Sequence, residues 1–111
     1  MNYERKQIIV QALIKLVQSA PETQMQAQTQ TFNLYSQNSQ NFQISQQAYK
    51  IWLDYVYSVL DTTYEYTGSN RILEKKMYII QLSNQVTSYA QVIAQIKNVI
   101  LGLAQEILQY Y

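Results

Sequence analysis

The sequence contains neither cysteine nor histidine. Without cysteine there is no disulfide and no thiolate chemistry, and the redox compartment is left open. Without histidine, the common zinc ligand sets, Ser-His nucleophile pairs and imidazole proton shuttles are excluded. Glycine occurs twice and proline once, too few for the many turns of an all-β chain. Charged residues make up 14% of the chain, against about 25% in an ordinary soluble domain. A net charge of +1 projects no global field toward nucleic acid, membrane or an acidic substrate. Uninterrupted apolar runs of about 18 residues are lacking, so no membrane-spanning helix is expected.

What fills the space left by charge is amide and aromatic: 18 Gln and 11 Tyr in 111 residues, with 48% of the chain apolar. That length predicts one domain spanning 1–111, and the apolar share argues against compositional disorder. The start, MNYERKQIIVQALIKLVQSA, places cations before an apolar run as a signal peptide does. Gln7, Gln11, Lys15 and Gln18 punctuate that run at helical spacing, so the segment reads instead as a helix over about 2–20 and the chain as mature from Met1. Ile8, Ile9, Val10, Leu13, Ile14, Leu16 and Val17 surround the polar stripe, which predicts burial on most sides. Pro21 ends this helix.

A second helix is expected over about 43–66. Ser45 suits its cap, and Gln47, Lys50, Asp54, Asp61 and Glu65 form its polar stripe. Lys50 and Asp54 are spaced to pair one turn apart, a contact of about 0.3–0.5 kcal/mol. The helix should end at Thr67-Gly68, with Gly68 in the left-handed conformation and Ser69 or Asn70 capping the next helix. Over 70–111, Ile72, Ile79, Val86, Ile93, Ile100 and Ile107 recur every seven residues, each succeeded three positions later by Lys75, Leu82, Tyr89, Ile96, Leu103 and Tyr110. Unbroken, this would be a rod of roughly 63 Å; Ser83-Asn84 and Gly102 are the candidate interruptions.

Between the first two helices, residues 24–43 read QMQAQTQTFNLYSQNSQNFQ, without one charged side chain. A helix over about 22–42, a hairpin with Gln37–Gln40 at its turn, and disorder all fit the pattern. Phe32, Leu34, Tyr35, Phe42 and Ile44 weigh against disorder.

Two sets of residues carry functional expectations. The apolar positions exceed what a chain of this size can hide, so Ile9, Leu13, Leu16, Phe32, Tyr35, Phe42, Ile93, Ile100, Leu103 and Ile107 are candidate subunit contacts. Arg5, Lys6, Arg71, Lys75 and Lys76 lie near helix starts and are candidates for facing nucleic acid through many weak copies, although solvated helix ends are the plainer reading. The tyrosines lack an interleaved basic groove and read as packing residues. Asp54, Asp61 and Glu65 read as a solvated stripe, because the bundle metal site needs Glu-x-x-His. Tyr57-x-x-x-Asp61 resembles the export pattern of type VII secretion substrates, but it sits within a helix rather than after a hairpin.

The Tyr-, Ile- and Gln-rich text (QAQTQTFNLYSQNSQNFQ; QVTSYAQVIAQIKNVI), sparse in charge and free of cysteine, resembles the small helical coat proteins of filamentous, rod-shaped or large spindle-shaped archaeal viruses. The periodicities predict an all-α, elongated antiparallel bundle of three to four helices with a long C-terminal heptad helix, and the resemblance implies bundles that stack into a helical lattice around DNA. It further implies a self-assembling, non-enzymatic capsid subunit located in the virion, with no cofactor, metal or small-molecule substrate. A small phage-encoded helical inhibitor or adaptor of a host protein, cytoplasmic rather than virion-bound, and an exported helical hairpin are the alternative readings.

Overall fold

The computed structural model describes residues 2–21, 46–85 and 88–111. Among them the chain is all-α, with four helices: α1 Tyr3–Gln18, α2 Gln46–Thr67, α3 Asn70–Ser83 and α4 Tyr89–Tyr110. The segment about 22–42, the candidate cap Ser45 and the candidate contacts Phe32, Tyr35 and Phe42 lie outside the described residues.

Local chemistry sets the ends of these helices. Asn2 caps α1: its Oδ1 accepts the backbone N–H groups of Glu4 at 2.7 Å and Arg5 at 3.4 Å. Such a cap contributes about 1 kcal/mol by satisfying donors that have no partner inside the helix. After α2, Gly68 takes φ 63° and its N–H closes on the Tyr64 carbonyl at 2.7 Å. A side chain would be strained at that φ, so the glycine is required here for conformation rather than space. Ser69 then caps α3, its Oγ accepting the Arg71 N–H at 3.3 Å.

The expected single C-terminal rod is instead two helices. α3 stops at Ser83, whose Oγ donates back to the Ile80 carbonyl at 2.8 Å, and Asn84 takes the C-cap position. Ser88 restarts the chain as the cap of α4, accepting the Gln91 N–H at 3.5 Å. Hydroxyl and amide side chains compete for backbone groups, which is why Ser83, Asn84 and Ser88 can interrupt a helix that the apolar pattern would continue. Gly102, the other candidate break, lies inside α4 without interrupting it. The longest helices, α2 and α4 at 22 residues each, therefore run only about 33 Å.

The helices form a four-membered ring: α1 packs on α2 and α4, and α3 packs on the same two. Paired positions advance in opposite senses. Arg5 lies over Tyr66 while Trp52 reaches Leu16; Asp61 meets Lys76 while Tyr57 meets Ser83; Arg71 meets Glu106 while Ser69 meets Tyr111. Consecutive helices thus run in opposite directions.

The core is one cluster. Leu13 from α1, Val56 and Leu60 from α2, Ile79 from α3, and Ile93, Ile96, Ile100 and Ile107 from α4 are all 0% exposed. Burying one such side chain contributes about 1.5–3 kcal/mol. α1 buries Ile9, Val10, Leu13 and Leu16, but Ile8 is 62% and Ile14 39% exposed. The helix is therefore embedded on one side rather than most of its circumference, because only two neighbours flank it. On α2 the inward face includes Tyr49 and Thr63, which the polar-stripe reading missed. Thr63 is tolerated there because its Oγ1 donates to the Val59 carbonyl at 2.7 Å.

Candidate interaction surfaces

Folding gathers the charges unevenly. The start of α1, the end of α2, the start of α3 and the end of α4 meet at one end of the bundle, where four of the five basic candidates come together and Lys76 lies about two turns along. Arg71 grips Glu106 with two parallel bonds, Nε to Oε2 and Nη2 to Oε1, both 2.7 Å. Lys76 Nζ donates to Asp61 Oδ1 at 2.7 Å, and the Arg5 guanidinium lies 5.4 Å from the Tyr66 ring centroid. Lys6 and Lys75 are half-buried. Arg71 holds the Glu106 carboxyl below the usual carboxylate range through those hydrogen bonds, against a smaller opposing effect of burial. The same contacts raise the guanidinium of Arg71.

This end is consequently close to electrically balanced. Glu4, Asp61, Glu65, Glu74 and Glu106 answer Arg5, Lys6, Arg71, Lys75 and Lys76. Of the candidates for facing nucleic acid, Arg71, Lys76 and Arg5 have partners within the chain, because α2 and α4 bring acids and an aromatic ring to the same level. The Lys50–Asp54 pair expected along α2 is not formed; the ion pairs among the described residues join different helices. Beside the Arg71–Glu106 pair, the Tyr111 hydroxyl donates to Ser69 Oγ at 2.7 Å. The cap of α3 is thereby tied to the end of α4.

The opposite end is held by aromatic contacts. Trp52 Nε1 donates to the Leu16 carbonyl at 2.9 Å. Tyr49 and Tyr89 stack with centroids 4.8 Å apart. The Tyr49 hydroxyl is buried and has no hydrogen-bond partner among the described residues. Burial, then the neighbouring Tyr57 and Tyr89, pushes its pKa up.

Seven of the candidate subunit contacts prove to be interior. Ile9, Leu13, Leu16, Ile93, Ile100, Leu103 and Ile107 are each at most 5% exposed. The physical reason is the turn after Ser83. It folds the heptad pattern back on itself, so among the described residues Ile72, Ile79, Ile93, Ile96, Ile100, Leu103 and Ile107 face one core, and Tyr110 at the end of the seam is exposed. The apolar surface that does reach solvent is different: Ile8 and Ile14 on α1, Ile51 and Tyr55 on α2, Met77 and Tyr78 on α3, and Leu101 and Leu108 on α4. On α1 and α2 these residues belong to the wide apolar face read from the sequence, of which the two neighbouring helices cover only the inner part.

Between α1 and α2 this surface forms an extended depression. An open groove of about 570 Å³ lies among Ala12, Lys15, Leu16, Tyr55 and Val59. A second hollow sharing Ser19 and Tyr55 continues it past Ile51 to Pro21. Among the described residues no three acidic side chains gather to hold a metal ion, and no helix is long and apolar enough to cross a membrane. The chain matches no protein-family model, no curated protein sequence and no solved structure.

Proposed function

We propose that this protein is a structural subunit that assembles with copies of itself, and that its role is that of a coat protein of a viral particle. The observation carrying the proposal is the distribution of exposed apolar side chains: every helix offers at least one that is 40% or more exposed, from Ile8 and Tyr55 to Met77 and Leu108. A subunit in a lattice needs neighbours on several sides, whereas an inhibitor or adaptor needs one such face. The contacts run through these outward positions, since the inner seams are occupied by the chain's own core. The amide- and hydroxyl-rich surface suits this role, because such groups form hydrogen bonds between subunits without the desolvation cost of charges. The reading is non-enzymatic.

Contact with nucleic acid belongs to the same proposal and falls to Lys6 and Lys75, helped by whichever of Arg5, Arg71 and Lys76 exchange their present partners for phosphate. Electron microscopy of the purified protein tests the assembly. Ordered filaments or shells are expected, and a monodisperse monomer over a wide concentration range overturns it. A mobility-shift assay with duplex DNA at low salt tests the second part, which fails if the assembled protein causes no shift.

A further inference from the structure

Resting on that self-assembly reading, we infer that the α1–α2 groove is the seat of a second copy of this chain, related by a two-fold axis and presenting its own α2. The groove is largely apolar, with Gln18 and Ser19 its uncharged polar lining, and its rim carries Ile51 at 50% and Tyr55 at 62% exposure. One charged residue, Lys15, is among its lining residues. Lys15 is exposed and makes no ion pair among the described residues. An occupant must therefore supply apolar side chains together with a carboxylate. The outer face of α2 carries that combination: Ile51 and Tyr55 lie one helical turn apart, with Asp54 beside them on the same surface. Asp54 is exposed and likewise unpaired among the described residues. In a two-fold arrangement each contact occurs twice, so Lys15 of each copy meets Asp54 of the other while the Ile51 and Tyr55 side chains fill the facing groove.

Charge exchange tests the arrangement on the full chain, with association measured by sedimentation velocity. Lys15→Asp and Asp54→Lys are each expected to weaken association by about tenfold or more by facing like charges across the contact. The double variant Lys15→Asp/Asp54→Lys is expected to restore it. Both positions are exposed, so unchanged helicity by circular dichroism is expected for all three proteins. If the wild type associates but the single variants do not weaken it, or the double variant does not recover, a different face carries assembly and this inference is overturned alone. A wild type that stays monomeric at every concentration overturns the inference and the proposed function together.

Discussion

The indole of Trp52 donates to the carbonyl oxygen of Leu16 at 2.9 Å, from a ring only 3% exposed. That carbonyl belongs to the last turn of α1, where no backbone N–H is left to satisfy it. One side chain therefore fills the core between α1 and α2 and closes the end of α1. Trp52→Phe should destabilise the protein by about 1–3 kcal/mol, through loss of the shorter of two bonds to that carbonyl, the Ser19 Oγ donating at 3.3 Å being the other, and a partly emptied site. Urea denaturation monitored by far-ultraviolet circular dichroism checks this, since the substitution removes the only tryptophan. An unchanged midpoint would show that the contact is incidental to stability.

The Arg71–Glu106 pair ties stability to acid. Glu106 has a folded-state pKa below its ordinary value, chiefly through its hydrogen bonds to Arg71. Its contribution is thus fully present above the unfolded carboxylate pKa and is lost as pH falls through the lower, folded value. Both partners are partly exposed, Arg71 at 52% and Glu106 at 24% of the side chain, so solvent screening keeps the effect small. Thermal melts of wild type and Glu106→Gln between about pH 6 and about pH 2 should differ at the upper limit and converge at the lower. Parallel curves would contradict this assignment.

Core and surface isoleucines should behave oppositely. Ile100→Ala removes a fully buried side chain and should cost about 2–5 kcal/mol, whereas Ile51→Asp, at a half-exposed position, should leave thermal stability within about 0.5 kcal/mol. Ile93→Asp would bury an unpaired charge and unfold the monomer rather than merely dissociate an assembly. Circular dichroism separates the outcomes: a folded Ile93→Asp protein would place Ile93 outside the core.

Tyr49 offers the reverse effect. Its buried hydroxyl has no partner among the described residues, while its ring stacks on Tyr89. Tyr49→Phe keeps the ring and removes the desolvated hydroxyl, so stability should rise by about 1 kcal/mol. A clear loss of stability on denaturation would mean that the hydroxyl is hydrogen-bonded in solution.

Much of this architecture could be read from the sequence because helices announce themselves by period. The four-residue spacing of Gln7, Gln11 and Lys15 marks α1, and Gly68-Ser69 marks the turn between α2 and α3. The heptad isoleucines are the deepest residues of the core. What the pattern concealed was the turn after Ser83: the seven-residue repeat runs on in phase from Ile79 to Ile93, so periodicity alone sees one helix where capping hydroxyls make two. That difference decides the surface as well. A continuous rod leaves half its seam for neighbours; a folded one buries its isoleucines in its own core and leaves Ile8, Ile51 and Tyr55 among the apolar residues at the surface. The ion pairs were hidden for a related reason. Arg71–Glu106 joins two helices brought together by that turn, whereas Lys76–Asp61 crosses the Gly68-Ser69 turn and depends on how α2 and α3 are rotated against each other.

The uneven placement of charge gives the bundle two ends with different sensitivities. Where Arg71 holds Glu106 and Lys76 holds Asp61, salt acts directly on contacts between helices, and acid acts on the first of them. The Trp52–Leu16 hydrogen bond and the Tyr49–Tyr89 stack involve no carboxylate, so neither condition acts on those two contacts directly. Acidification through the lowered pKa of Glu106 should therefore loosen the molecule at one end first, with amide protection relative to the intrinsic exchange rate falling around Ser69 and Arg71 before it does around Leu16. The bundle would open as a zip opens, from a fixed side.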